Sequence, residues 1–188
     1  MKSEILHLLR HADGYVSGQQ LCETFGVSRT AVWKVINQLK EEGYVIDSVQ
    51  NKGYRITEYP DIITASEIES LLLDDSGNMQ GICRHIQYFD KTDSTNNQAK
   101  LAAEKNAPDG TLFVAECQTG GRGRRGKTWE SPAGSGIWMS LLLRPDISPE
   151  SASMLTLVLA VAMVDAINEE VQLSLIHISE PTRLDVIS

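Results

Sequence analysis

Apolar positions in the first sixty residues recur at helical spacing. Ile5, Leu6, Leu8 and Leu9 give the opening segment one greasy face, and Asp13-Gly14 ends it. Ser17 then caps a second helix that buries Leu21, Cys22 and Phe25, and Gly26-Val27-Ser28 turns into a third. In that third helix Ala31, Val32, Val35, Ile36 and Leu39 form the buried stripe, and Gly43 closes it. Two alternating runs follow, Tyr44 to Val49 and Tyr54 to Ile56, around the turn Gln50-Asn51-Lys52-Gly53.

Three short helices and a hairpin make a winged helix-turn-helix, with the helix-turn-helix itself spanning about Gly18 to Asn37. Such a module sets the N-terminal residues of its recognition helix against base edges. Ser28, Arg29, Thr30, Trp33, Lys34 and Asn37 lie off the buried stripe and, with Lys52 at the wing tip, are the expected DNA contacts. Residues 1–59 carry no net charge, so the −8 of the chain belongs to the remainder. A neutral module neutralises few phosphates, so dimerisation would help it bind. Protein docking is the plainer use of such a module.

Glu58-Tyr59-Pro60-Asp61 breaks the pattern, and a domain boundary is expected there. Beyond it the sequence predicts a helix capped by Thr64 or Ser66 and running to Leu73, then a strand over His85 to Asp90. A helix from about Asn97 to Lys105 and strands over Leu112 to Glu116 and Ile137 to Leu143 follow. A further helix opens at Ser148-Pro149 and reaches about Glu170. Ser94 or Thr95 serves at least as the cap of the 97–105 helix.

Between the strands lies Gln118 to Trp129, with four glycines and four cations in twelve residues. Glycine weakens regular elements and clustered charge resists burial, so a loop is expected. Backbone N–H groups and Arg forks suit carboxylate and phosphate oxygens, so the expected guest is an anion. Gly121 to Thr128 also fits the phosphate-loop pattern, but that motif needs a following helix. Trp129 to Gly136 reads instead as turn.

Cys22, Cys83 and Cys117 are far apart and odd in number, which fits a reducing compartment and neither a disulfide framework nor a zinc site. Of the four histidines only His7 and His11 share a helical face. No basic-then-apolar leader opens the chain, and the apolar run Met154 to Val164 is shorter than the roughly 20 residues of a membrane span, so a cytoplasmic protein is expected.

Asp93-Ser94-Thr95-Asn96 followed by Gln118-Thr119-Gly120-Gly121-Arg122-Gly123-Arg124-Arg125-Gly126-Lys127-Thr128-Trp129, behind a winged helix ending in Lys52-Gly53-Tyr54, resembles the bifunctional biotin–protein ligase and biotin operon repressor family. The resemblance covers about Met1 to Val171. It implies an α/β (α+β) chain. Residues 1–59 would be the DNA-binding winged helix, and 60–172 the first part of a mixed-sheet, class II aminoacyl-tRNA-synthetase-like catalytic domain. It implies condensation of biotin with ATP, Mg2+ accompanying the nucleotide, to biotinyl-5′-adenylate. The biotinyl group then passes to a lysine of a carboxylase's biotin carboxyl carrier domain. Operator DNA and, with ligand bound, a homodimer would be the further partners.

Residue by residue, the resemblance gives Ser94, Thr95, Asn96, Gln118, Arg122, Gly123 and Arg124 to biotin. It gives Arg122, Arg125 and Trp129 to the adenylate, and Arg122 and Arg124 to catalysis. The family's Lys-Trp-Pro-Asn-Asp segment has no counterpart here. Leu173 to Arg183 instead resembles a translated transposase adapter of sequencing libraries, so residues 173–188 are expected to be non-native and this copy ligase-deficient. The competing readings are a repressor that only senses a small anion and a lipoate ligase sharing the catalytic fold.

Overall fold

A computed structural model describes residues 1–74, 76–123 and 127–171 of the chain. They fall into two compact units, Met1–Arg144 and the segment from Pro145 onward.

The first unit opens with three helices, α1 (Lys2–His11), α2 (Gly18–Phe25) and α3 (Arg29–Glu41). Ser17 and Ser28 accept the Gln20 and Ala31 N–H groups and so cap α2 and α3. Gly26 leaves α2 in the left-handed conformation, φ +63°, which makes the tight turn of the helix-turn-helix. The wing is the antiparallel pair β1 (Val45–Val49) and β2 (Gly53–Glu58). It is tied to the α1–α2 connection by reciprocal backbone bonds of 2.9 Å between Val16 and Tyr54.

Ile5, Leu6, Leu9, Val16, Leu21, Val32, Val35, Ile36, Leu39, Tyr44 and Ile46 form one buried cluster beneath these elements. It contains the stripe read from the sequence except Ala31, which is half-buried.

Helix α4 (Ala65–Leu72), capped by Thr64, packs on α1. Ser3 donates to Glu69 at 2.7 Å, and His7 Nδ1 lies 2.8 Å from the Ser70 carbonyl, an acceptor that makes the ring nitrogen the donor. Arg10 pairs with Glu67 and lies 4.6 Å over the Tyr59 ring, and the Tyr44 hydroxyl donates to Glu67. Burial and the neighbouring Glu67 carboxylate push the Tyr44 hydroxyl far above the usual tyrosine range.

Next come β3 (His85–Phe89), α5 (Thr95–Glu104), β4 (Thr111–Ala115), β5 (Gln118–Arg122), β6 (Thr128–Ser131) and β7 (Trp138–Leu142). The sheet order is β3-β4-β7, with β3 parallel and β7 antiparallel to β4. Every residue of β4 is buried, and α5 packs on β4 and β7. The fold is therefore α/β in the mixed-sheet sense, behind a winged helix.

The glycine/arginine stretch departs from the sequence reading. β5 and β6 are an antiparallel pair, so Gln118–Arg122 and Thr128–Ser131 are strands. Composition misleads here because Gly121 has no side chain and can press against the Trp129 carbonyl, while the ladder satisfies the backbone.

In the second unit a 3-10 turn over Pro149–Ser153 precedes α6 (Met154–Val171), so the regular α-helix starts six residues after Ser148. Residues Glu150–Glu169, with mean hydropathy 1.7, are long and apolar enough to cross a membrane by length and composition. The window passes this criterion although the uninterrupted run Met154 to Val164 is shorter, because interspersed Thr and Ser dilute it very little. A core helix of a soluble protein meets the same criterion.

Candidate functional site

The site forms where β3 gives way to α5. Thr92 N–H bonds the Cys117 carbonyl at 3.0 Å, Thr119 N–H bonds the Thr92 carbonyl at 2.9 Å, and Gly120 N–H bonds the Asp93 carbonyl at 2.7 Å. These bonds lay β5 alongside the turn that starts α5. Ser94 is the cap, accepting Asn97 N–H at 3.1 Å. Of the two candidates for that cap, Thr95 is the first helical residue instead.

Thr95 is buried and faces Gln118. Gln118 Oε1 accepts both the Thr95 N–H, at 2.8 Å, and its hydroxyl, at 3.2 Å, and the amide Nε2 donates to Ser131 at 3.1 Å. A backbone N–H can only donate, so the oxygen of the Gln118 amide must face Thr95 and its nitrogen Ser131. Ser140 of β7 lies 2.9 Å from the Thr95 hydroxyl and completes the chain.

Asp93 sits at the helix entrance. Side-chain bonds from Asn97 (2.7 Å) and Gln98 (2.8 Å), then the Ser94 backbone N–H, hold its carboxyl far below the usual carboxylate range. The carboxylate is thereby a fixed anchor for the first turn of α5.

Two adjoining cavities open here. The larger, about 1210 Å3, is bounded by Asp93, Asn97, the strand Gln118 to Arg122 and the facing strand Thr128 to Ser131. The smaller, about 140 Å3, brings together Ser94, Asn96, Gln118, Arg122 and Trp129, all singled out in the sequence. They share Asn97, Gln118, Gly121, Arg122 and Trp129. Gly123 lines the larger one and donates its N–H to the Lys127 carbonyl at 2.7 Å. Arg124 and Arg125 lie outside the described residues.

Sequence reasoning missed Ser131, Ser140 and Lys100. Serines in strands carry no periodic signal, and Lys100 reads as one more exposed helical cation. Its position one turn after Asn96 was the available clue. No helix follows Lys127-Thr128, since β6 does, so the phosphate-loop match is excluded as a nucleotide cradle. Among the described residues no three His, Cys, Asp or Glu side chains group as metal ligands, and the His7 and His11 ring centroids lie 4.3 Å apart with the planes tilted by 43°.

The residues expected at DNA lie elsewhere in the same unit. Ser28, Arg29, Thr30, Trp33 and Lys34 are exposed on α3, Asn37 is half-buried, and Lys52 is exposed at the wing tip. A 530 Å3 groove lined by Ser17, Gln19, Arg29, Gln50, Asn51 and Lys52 runs between the helix N-termini and the wing.

Comparison with known proteins gives two family matches. Residues 2–55 match a helix-turn-helix (HTH) domain, and residues 88–185 match the Biotin/lipoate A/B protein ligase family. The chain is 42% identical over 170 residues to the Bifunctional ligase/repressor BirA of Bacillus subtilis (strain 168), covering 90% of this chain and 51% of that protein. It is 32% identical over 166 residues to its namesake in Escherichia coli (strain K12), covering 88% of this chain and 48% of that one. The chain thus spans about half the length of these relatives. A solved structure, biotin acetyl coenzyme A carboxylase synthetase from Helicobacter pylori with bound biotinylated ATP, is 27% identical with a TM-score of 0.32. It covers 38% of this chain and 36% of that one.

Proposed function

The chain belongs to the Biotin/lipoate A/B protein ligase family, and from that premise we propose that it carries the biotin-gripping and DNA-reading parts of a biotin–protein ligase that is also a repressor. The observation that carries this reading is the convergence of Ser94, Asn96, Gln118, Arg122 and Trp129 on one cavity, beside the buried Thr95–Gln118 pair. In this reading Ser94, Thr95, Asn96, Gln118 and Gly123 bind biotin, and Arg122 reaches both its carboxylate and the nucleotide phosphate. Trp129 flanks the adenylate, and the reading gives Arg124 to biotin and Arg125 to the adenylate.

The chemistry follows from charge. A biotin carboxylate oxygen attacks the α-phosphorus of ATP, the bond to pyrophosphate breaks, and a mixed anhydride forms. A carrier lysine then attacks its carbonyl carbon, a C–N bond forms, the amine loses a proton and AMP departs. The first step joins two anions, and Arg122 offsets their repulsion as charge moves to pyrophosphate. Closure of the glycine-rich hairpin would shield the anhydride from water. Mg2+ enters with ATP.

We assign residues 1–59 to the DNA-binding domain, 60–172 to the first part of the catalytic domain, and 173–188 to a non-native tail. Operator DNA would contact Ser28, Arg29, Thr30, Trp33, Lys34, Asn37 and Lys52, as a dimer when biotin is bound, in the cytoplasm. Biotin is favoured over lipoate because the module at residues 2–55 is a helix-turn-helix and the relatives are named ligase/repressors.

The test is calorimetric titration of the 188-residue chain with biotin and with lipoate. Biotin is expected to bind and lipoate not, and absence of biotin binding would overturn the reading.

A further inference from the structure

Two cations face the smaller cavity, Lys100 from α5 and Arg122 from β5. No carboxylate lines it, and neither cation has an ion pair among the described residues. Asp93 lines the other cavity, and its oxygens are taken by Asn97 and Gln98. Both side chains are exposed, and like charges sharing a small space repel each other unless an anion lies between them. At about 140 Å3 the space suits a carboxylate or phosphate group and falls below the usual size of a whole-ligand pocket.

Lys100 follows Asn96 by four residues, so the two share one face of α5. Their side chains, with Ser94, Gln118 and Trp129, surround the same space.

We infer that Lys100 is a second anion-holding residue of this site, closing with Arg122 on the biotin carboxylate or on the phosphate that joins it. The inference rests on the biotin reading above and names a residue that the family motifs do not include. Lys100 supplies a mobile point charge on a flexible stem, whereas Arg122 supplies a planar fork. The pair would follow the negative charge as it passes from carboxylate to phosphate.

The experiment is calorimetric titration of the full chain and its Lys100→Gln and Lys100→Arg variants with three probes: biotin, uncharged biotin methyl ester, and biotinyl-5′-adenylate. Lys100→Gln is expected to weaken at least one charged probe about tenfold, the size of one lost charge-assisted contact, and to leave the ester unchanged. Lys100→Arg is expected to restore most of the loss. A deficit with biotin identifies the carboxylate as the partner; a deficit confined to the adenylate identifies the phosphate. Unchanged binding of both charged probes, or equal weakening of the ester, overturns the role of Lys100 and leaves the biotin reading intact. If the unsubstituted chain binds none of the three, the biotin reading fails and the inference falls with it.

Discussion

Gln118 holds Thr95 twice, through one amide oxygen that accepts both its backbone N–H and its hydroxyl. The two residues lie 23 positions apart, and this pair fastens the first strand of the glycine-rich hairpin to the start of α5. Gln118→Ala takes the acceptor from the N–H of buried Thr95 and frees Ser131, so a loss of about 1–3 kcal/mol in folding stability is expected. Urea denaturation would show it. Gln118→Glu keeps the acceptor and should cost less, because Ser131 can turn its hydroxyl to donate.

Asp93 gives a pH signature. Its folded carboxyl titrates far below the ordinary value of 3.8, so its contribution is fully present above that value and is lost as pH falls toward the lowered one. Asp93→Asn should therefore be less stable than the parent at neutral pH, with the gap narrowing in strong acid. Urea midpoints measured from neutral pH down to about pH 2 would follow this convergence, and a gap constant with pH would contradict the linkage.

Gly121 is where the hairpin comes closest to itself. A Cβ there would meet the Trp129 carbonyl oxygen at 2.4 Å and Ser131 Oγ at 3.0 Å, and the first of these is backbone that cannot swing aside. Gly121→Ala is expected to destabilise by about 1–3 kcal/mol, as overpacking does, and to weaken biotin binding along with stability. Calorimetry together with thermal melting would register both losses.

On the proposed DNA-binding face, Lys52 and Arg29 stand on the rim of one groove. Lys52→Ala should weaken binding to all duplexes alike and reduce the slope of log affinity against log salt by about one. An unchanged slope in fluorescence anisotropy titrations would remove Lys52 from the interface.

How much of this was legible in the chain follows from the range of each interaction. Ser17 and Thr64 act on N–H groups three residues away, so local patterning offered Ser17 as a cap and Thr64 beside Ser66, while Ser28, read as part of a turn, caps α3 in the same way. The stripe Val32, Val35, Ile36 and Leu39 is likewise a matter of one helix's period. Strand register was not local: Gly121 pairs with Trp129 across a turn, and a stretch dense in glycine and cations reads as loop until its partner is known. Ser131 and Ser140 gained their importance only when β6 and β7 brought them to Gln118 and Thr95. The residues expected at the ligand were named through motif resemblance, and the fold supplied the second cation beside them.

Glu67 accepts from Arg10 of α1 and from Tyr44 at the foot of the wing, while its own helix opens the stretch after Pro60. α1 shares its core with α3 through Leu6, Leu9, Ile36 and Leu39. The reading head is thus bolted to α4 instead of dangling from a tether. On the proposed reading, the tilt at which α3 would meet a duplex is inherited from that mounting, and loosening the Glu67 bolt would blur the aim of the head before it altered any residue proposed to touch DNA.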